Sequence, residues 1–174
     1  MPKNTNILLI RHAEKPTDDK DPTLAVAGQE RAQAYVIYFQ NFPDESSPIK
    51  LDYLFATAKS SESNRPYLTI KPLADALGLS INNKHKDKDF QKVADAILQH
   101  GKYDDSNILI CWHHGEILQL AEALGAPASS LPPKWSGKVF GWLIHLVFDS
   151  NGNLTVEPTI NQQLMYDDYG KNPA

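Results

Sequence analysis

Three short apolar runs stand out in the sequence, and two of them contain no polar residue at all. These two runs cover residues 7–10 and 108–112, and the third covers residues 53–57. A strand with one face in water alternates apolar and polar positions, whereas a strand covered on both faces is apolar throughout. The pattern therefore predicts two central parallel strands at 7–10 and 108–112 and a further strand at 53–57.

Four longer segments carry apolar residues at the spacing of one helix face. They cover residues 24–42, 64–77, 90–100 and 116–124. Gly78, Gly101 and Gly125 follow three of these segments, where a left-handed residue often ends a helix. Alternating strands and helices predict a layered α/β fold, namely a three-layer α/β/α sandwich with a mostly parallel central sheet.

The C-terminal part of the chain predicts two more strands, at residues 140–148 and 154–160. Between them, Asn151-Gly152 favours a tight hairpin turn. We therefore expect a C-terminal β-hairpin that extends the sheet. Four aromatic residues in this region either rim a pocket or, as is more usual for aromatics near strands, belong to the core. They are Trp135, Phe140, Trp142 and Phe148.

Composition indicates a single domain without a strongly charged partner. The 174 residues are 41% hydrophobic, which is enough for one core over residues 1–174. The formal charge of −4 and the scattered basic residues predict neither nucleic acid nor an anionic membrane as a partner. The single cysteine, Cys111, excludes an intramolecular disulfide, and the apolar run at 7–10 is too short for a signal-peptide core. We therefore expect a cytoplasmic protein.

Residues suited to phosphate chemistry follow the predicted strands. They are Arg11, His12, Arg65, His113 and His114. Ligands of a parallel sheet bind beyond the carboxyl ends of its strands, so these residues should share one edge. Arginine binds phosphate oxygens bidentately, and a neutral histidine ring can attack phosphorus. The chain has only three arginines against fourteen lysines, so two arginines at strand ends favour a phosphoryl site over ordinary surface ion pairs.

Several motifs, in this order along the chain, resemble those of the histidine phosphatase superfamily. Residues 11–15 read Arg-His-Ala-Glu-Lys, which resembles the opening signature in a variant found in some small bacterial members. The first helix of the family, its arginine element and its final histidine motif are similar to residues 28–34, 61–69 and 112–117. The resemblance covers about residues 6–125.

The resemblance implies a phosphoglycerate mutase-like fold and a two-step phosphatase mechanism that needs no metal or other cofactor. His12 would be the nucleophile that becomes phosphorylated, and Arg11, Arg65 and His114 would form the phosphate-binding pocket. The substrate would be a phosphorylated small molecule or a phosphoprotein. A phosphatase is favoured over a mutase because the short chain has no insertion that would retain the donor.

The identity of the general acid is left open by the resemblance. Glu116, two residues after His114, is the first candidate for this catalytic role. Glu14 is the second, and Asp87 and Asp89 are more distant candidates. Glu14 and Glu116 also suit the first turns of helices, where carboxylates favour the helix dipole.

Three other functions use some of the same residues. A non-catalytic pseudophosphatase would bind phosphorylated partners in the same pocket. A metal site would require His113 and His114 to bind one ion, but neighbouring residues of a strand point to opposite faces. A cysteine phosphatase is disfavoured because Ile117, rather than an arginine, lies six residues after Cys111. The sequence predicts no oligomeric state.

Overall fold

The computed structural model of the chain describes residues 1–18, 20–99 and 101–173. Within these ranges, the strands are β1 (Thr5–Arg11), β2 (Tyr53–Ala56), β3 (Ile81–Asn82), β4 (Asn107–Trp112), β5 (Trp142–Phe148), β6 (Leu154–Val156) and β7 (Ile160–Asn161). The α-helices are α1 (Val26–Gln40), α2 (Arg65–Leu77), α3 (Phe90–Leu98) and α4 (Ile117–Ala123). Short 3-10 helices lie at Asp87–Asp89, Ala128–Ser130 and Tyr166–Asp168.

The strands form one sheet in the order β3-β2-β4-β1-β5-β6, and β7 also pairs with β5. The first four strands along the chain, β1 to β4, run parallel to one another. Strand β5 runs antiparallel to β1 and begins the C-terminal extension of the sheet. The predicted central parallel strands at 7–10 and 108–112 are therefore confirmed as the neighbours β1 and β4.

Strands β5 and β6 form the predicted C-terminal hairpin, in which Phe148 lies opposite Leu154. The second strand is shorter than the predicted segment 154–160, because it ends at Val156. Pro158 has no N–H group with which to continue the ladder of hydrogen bonds. The chain then forms β7, which pairs with the opposite end of β5.

Helices cover both faces of the sheet. Ile7 and Leu9 of β1 belong to the core cluster on the side of α3 and α4. Leu8 and Ile10 belong to the cluster on the side of α1 and α2. Because successive side chains of a strand point to opposite faces, a strand with a helix layer on each side has to be apolar at every position. The three-layer α/β/α arrangement is thus the reason that these runs are continuous.

Helix α1 is two residues shorter at each end than the predicted segment 24–42. Leu24 packs against Ala13 in a small satellite cluster, so its apolar side chain serves tertiary packing rather than the helix. Phe42 precedes Pro43, and the residue before a proline is disfavoured in helical backbone. The apolar spacing extends past both ends of the helix because Leu24 and Phe42 are buried by tertiary packing and not as part of the helix.

The glycines predicted at the C-terminal ends of helices are confirmed for α2 and α4 but not for α3. Gly78 caps α2 in the left-handed region with φ of 67°, and Gly125 follows α4 with φ of 104°. Helix α3 ends at Leu98 and is capped by Gln99, so the prediction that Gly101 ends this helix is wrong. The predicted last residue, His100, lies outside the described residues. Within the described ranges, no helix has the length and apolar character needed to cross a membrane.

Candidate active site

A cavity of about 550 Å³ lies where the chain leaves the carboxyl ends of β1, β2 and β4. The five residues predicted for the site all line it: His12, Arg11, Arg65, His114 and Glu116. His113 and Asp87 line the same cavity. Parallel strands bring their carboxyl ends to one edge of the sheet, which is why segments separated by about fifty residues along the chain meet there.

His12 is the first residue after β1, and its backbone N–H donates to the Trp112 carbonyl at 3.0 Å. Its ring Nδ1 lies 2.7 Å from the Ala13 carbonyl oxygen. Because a carbonyl oxygen can only accept a hydrogen bond, Nδ1 carries the ring proton, and the lone pair is on Nε2. His12 as a whole is 3% exposed. This tautomer leaves Nε2 as the nucleophilic nitrogen.

The protonation state of His12 follows from its surroundings. Burial lowers its pKa well below 6.5, and the positive charge of Arg11 and the neighbouring His113 lower it further. A charged imidazole is disfavoured both by removal from water and by cations nearby. The ring is therefore neutral at physiological pH, as a nucleophile toward phosphorus must be.

Thr69 links the first motif to helix α2. The Ala13 N–H donates to the Thr69 hydroxyl at 2.8 Å, and this hydroxyl donates to the Arg65 carbonyl at 2.8 Å. A hydroxyl can accept and donate at the same time, so one threonine holds both segments. The turn that carries His12 is thereby fixed relative to the turn that carries Arg65.

Arg11 lies almost entirely below the surface, with 1% of its area exposed. Its Nη1 donates to the carbonyls of Gly137 and Val139, each at 2.8 Å, and the guanidinium carbon lies 3.9 Å from the centroid of the Phe140 ring. Burial lowers its pKa to about 10, so it stays charged at neutral pH. No described residue accepts a hydrogen bond from its buried Nε. The backbone thus fixes one side of a cationic fork that retains donors for an anion.

Arg65 is the first residue of α2, one residue after the start of the predicted segment 64–77. Its backbone N–H donates to the Ser63 hydroxyl at 3.2 Å, and its Nη1 donates to the Asp21 carbonyl at 2.6 Å. Unpaired N–H groups and the helix dipole make the first turn of a helix favourable for an anion. The cavity therefore has a guanidinium from β1 and a second one from the positive end of a helix.

His113 was not assigned a catalytic role from the sequence, although the structure packs its ring against that of His12. The rings of these two residues meet edge to face, with centroids 5.0 Å apart, and His113 Nε2 lies 3.3 Å from the Thr57 hydroxyl. Burial, together with Arg65 and His114, lowers its pKa to about 4. His114 also lines the cavity but is exposed. A usable sequence signal was position: His113 is the first residue after β4, as His12 is after β1.

Asp87 and Glu116 are the two candidate acids that line the cavity. Asp87 Oδ1 is buried and has no hydrogen-bond partner among the described atoms. Burial, followed by a hydrogen bond with Glu116 and repulsion from its charge, raises the pKa of Asp87 to about 8. Two ionised carboxylates can only accept, whereas one protonated acid donates to the other. The pair therefore holds one proton at neutral pH.

The other two candidate acids lie outside the cavity lining. Glu14 accepts hydrogen bonds from the buried Arg31, the closest at 2.6 Å, and Arg31 also donates to both oxygens of Asp168 at 2.8 and 2.9 Å. Asp89 forms an ion pair with Lys92 at 2.8 Å. Glu14 is thus part of a buried ionic network, and Asp89 is part of a solvent-side pair.

A metal site and a cysteine nucleophile are the two other chemistries that the sequence raised for this region. In the described ranges, no group of three or more histidine, cysteine, aspartate or glutamate side chains is arranged to hold a metal ion. Cys111 is fully buried in the core, and burial raises the pKa of its thiol. A buried neutral thiol is inert as a nucleophile.

Among the aromatic residues, Trp135, Trp142 and Phe148 are in the core, while Phe140 stacks on Arg11.

Comparison with protein-family models gives no match, and comparison with curated protein sequences gives none either. Solved structures do match. A phosphoglycerate mutase from Plasmodium falciparum is 16% identical, with a TM-score of 0.58, and the match covers 89% of each chain. The protein histidine phosphatase SixA, complexed with tungstate, is 13% identical, with a TM-score of 0.58 over 90% of this chain and 97% of SixA.

A third solved structure, a phosphoserine phosphatase mutant from Entamoeba histolytica in complex with phosphoserine, is 14% identical. Its TM-score is 0.61, and the match covers 92% of this chain and 100% of the other. At these identities the likeness is one of fold. The chain therefore has the phosphoglycerate mutase-like fold of the histidine phosphatases.

Proposed function

We propose that the chain is a metal-independent phosphatase that hydrolyses phosphomonoesters or phosphohistidine through a phosphohistidine intermediate on His12. The observation that carries this proposal is the hydrogen bond from His12 Nδ1 to the Ala13 carbonyl, beside two guanidinium groups that line the same cavity. This hydrogen bond leaves the lone pair of Nε2 available to attack a phosphoryl group bound in the cavity. Solved structures of the same fold include a protein histidine phosphatase and a phosphoserine phosphatase, which supports the same class of substrate.

In the first step, Nε2 of His12 attacks phosphorus, and the bond breaks from phosphorus to the ester oxygen or, in a phosphohistidine substrate, to the ring nitrogen. Arg11 and Arg65 compensate the charge on the phosphoryl oxygens, with His113 and His114 as further donors. The leaving oxygen or nitrogen takes the proton held by Asp87 and Glu116. The phosphoryl group is then bonded to Nε2, while Nδ1 keeps its proton and its bond to the Ala13 carbonyl.

In the second step, a water molecule attacks the phosphohistidine. The bond between phosphorus and Nε2 breaks, and the ionised carboxyl pair takes one proton from the attacking water. Inorganic phosphate leaves, His12 is neutral again, and the carboxyl pair again holds one proton. A pair that shares one proton thus acts as the acid in the first step and as the base in the second.

The first test is the release of phosphate from p-nitrophenyl phosphate in the presence of a chelator. We expect activity that is insensitive to chelator and is lost in His12→Ala. The matched control is His145→Gln, because His145 lies on β5 and bonds Asn6 at 2.8 Å, away from the cavity. Circular dichroism establishes that each variant is folded.

A second readout is direct detection of the intermediate. Quenching during turnover should give an acid-labile phosphoryl group on the natural chain and none on His12→Ala. If neither turnover nor a phosphorylated chain is seen with any phosphomonoester or phosphohistidine protein, the cavity is that of a pseudophosphatase that binds phosphorylated partners.

A further inference from the structure

Trp112 is the last residue of β4 and is fully buried. Its side chain belongs to the core cluster that also contains residues of α3 and α4. A buried tryptophan still has an indole N–H that needs a hydrogen-bond acceptor. Here Nε1 donates to the backbone carbonyl of Asp87 at 3.0 Å. This bond connects the end of a central strand to the segment that carries one of the two acids of the cavity.

The segment that carries Asp87 is held from two sides. The N–H of Ala58, two residues after β2, donates to the His85 carbonyl at 2.6 Å. The bond from the Trp112 indole follows two residues later, and Asp87 then begins the short 3-10 helix that leads into α3. The backbone of residues 85–87 is thereby tied to the ends of β2 and β4. The Asp87 carboxyl consequently has a defined place in the cavity.

The same tryptophan also holds the proposed nucleophile. Its backbone carbonyl accepts a hydrogen bond from the His12 N–H at 3.0 Å, while its indole donates to Asp87. Both bonds end on atoms of one residue that is 0% exposed, and its side chain has only two rotatable bonds, which the surrounding core restrains. Trp112 therefore links the position of His12 to the position of Asp87.

The two acids of the cavity depend on different restraints. Glu116 is the N-cap residue of α4, so its backbone is placed by the helix that it opens. Asp87 lies in a short connection, where its position depends on bonds to neighbouring elements, and Trp112 supplies one of these. Proton transfer requires the acid to lie within hydrogen-bond reach of the leaving atom. A misplacement of about 1 Å can lower a rate about 100-fold.

We propose that Trp112 is a positioning residue for the general acid, because its indole N–H holds the Asp87 backbone where the carboxyl paired with Glu116 reaches the leaving atom of the substrate. The inference rests on the proposed function, since it assumes that this pair supplies the proton. A purely structural role would make Trp112 equally important for every substrate. A positioning role makes it important for substrates whose leaving group needs a proton.

The test measures kcat/KM for propyl phosphate and for p-nitrophenyl phosphate in the natural chain and in Trp112→Phe. This constant covers the first step only, so hydrolysis of the phosphohistidine, which is common to both substrates, does not enter it. Phenylalanine keeps an aromatic ring in the core but has no N–H to donate. We expect kcat/KM to fall about tenfold for propyl phosphate and about twofold or less for p-nitrophenyl phosphate, because nitrophenolate leaves without a proton.

A second replacement removes the donor without changing the shape of the side chain. Benzothienylalanine at position 112 has sulfur in place of the indole N–H, so it should reproduce the selective loss even if the smaller ring of Trp112→Phe destabilises the core. The matched control is Trp142→Phe. Trp142 is also buried, and its indole donates to the Lys171 carbonyl at 2.5 Å, outside the lining of the cavity. This control should keep the ratio of the two kcat/KM values.

A double-variant cycle shows whether the effect passes through Asp87. In Asp87→Asn, the further change Trp112→Phe should leave the ratio unaltered, because the acid that it positions is already gone. If loss of the indole N–H slows both esters equally, or lowers the ratio as strongly in Asp87→Asn as in the natural chain, the inference is wrong, while hydrolysis that depends on His12 keeps the proposed function. If the natural chain hydrolyses neither ester, the proposed function fails and the inference fails with it.

Discussion

The imidazole rings of His12 and His113 lie edge to face with their centroids 5.0 Å apart, each on the first residue after a central parallel strand. The register that aligns Arg11 with Trp112 puts these two residues side by side at the edge of the sheet. His114, one position later, is more exposed and points away from this pair toward Gly137, where a Cβ would lie 3.3 Å from its Nε2. Because His113 packs against His12 and His114 does not, we expect His113 to contribute more to catalysis than His114.

We expect His113→Ala to lower kcat for p-nitrophenyl phosphate about 100-fold, as loss of one donor to a developing oxyanion does elsewhere. His114→Ala should lower it about 10-fold or less, because an exposed donor is partly replaced by water. The two variants are matched in chemistry and differ by one position. Steady-state kinetics at neutral pH decides between them, and a larger loss for His114→Ala would assign the main role to His114.

The carboxyl pair predicts a basic limb in the pH profile. Because Asp87 has a pKa of about 8, kcat/KM should fall as pH rises through that value and the pair loses its proton. The acidic limb should lie well below 6.5, where His12 begins to be protonated. Replacing Glu116 by Gln removes a negative charge that raises the pKa of Asp87, so the basic limb should move to lower pH.

Asp87→Asn should remove the acid itself, and its effect should depend on the leaving group. Loss of a general acid lowers the rate about 100-fold for an alkyl phosphate, whose alkoxide must be protonated as it leaves. The loss should be much smaller for p-nitrophenyl phosphate, because nitrophenolate leaves without a proton. Equal losses for both substrates would indicate that Asp87 serves the structure of the loop rather than proton transfer.

The buried ionic network predicts a large effect on stability. Arg31 is 0% exposed and binds Glu14 and Asp168 together, which joins the first motif to the C-terminal segment. Arg31→Met should lower the free energy of unfolding by about 3–5 kcal/mol, because it leaves carboxylates buried without their cation. Urea denaturation measures this change. The exposed pair of Lys71 and Asp75 is the control, and Lys71→Met should have little effect on the same curve.

Gly28 predicts a close contact between α1 and the first motif. A Cβ at this position would overlap the Glu14 carbonyl oxygen and lie 2.9 Å from the Glu14 nitrogen. Gly28→Ala should therefore destabilise the fold by about 2 kcal/mol and also lower activity, because the overlap pushes the segment after His12. Glu30→Ala, at an exposed position of the same helix, should change neither the urea midpoint nor kcat. Full activity in Gly28→Ala would show that the segment can shift without moving His12.

Part of the candidate site could be predicted because its residues stand at the ends of strands and helices that are recognisable in the sequence. Arg11 and His12 follow β1 directly, and Arg65 opens α2. A strand that is apolar on both faces has to be central, and the carboxyl end of such a strand is where ligands bind. Segment boundaries were less accurate, since residues such as Leu24 are apolar for tertiary packing rather than for their helix.

The general acid could not be chosen from the sequence because the four candidates are chemically alike. Glu14 is held by Arg31 and Asp89 by Lys92, while Asp87 meets Glu116 across the cavity. Which carboxylate gains a cation and which is left to share a proton depends on neighbours far away along the chain. Burial and charge at each position, rather than residue type, set the pKa.

By itself, the sequence determined the layered α/β architecture, the two central strands and the identity of the residues at their ends, because apolar periodicity and the succession of elements along the chain are local properties. Only the tertiary structure decided that the His113 ring packs against that of His12, that Arg31 joins Glu14 to Asp168 in a buried ionic network, and that Asp87 and Glu116 line the same cavity. These features depend on distances between side chains of different elements. Such distances are fixed when the helices pack on the sheet, and no spacing along the chain encodes them directly.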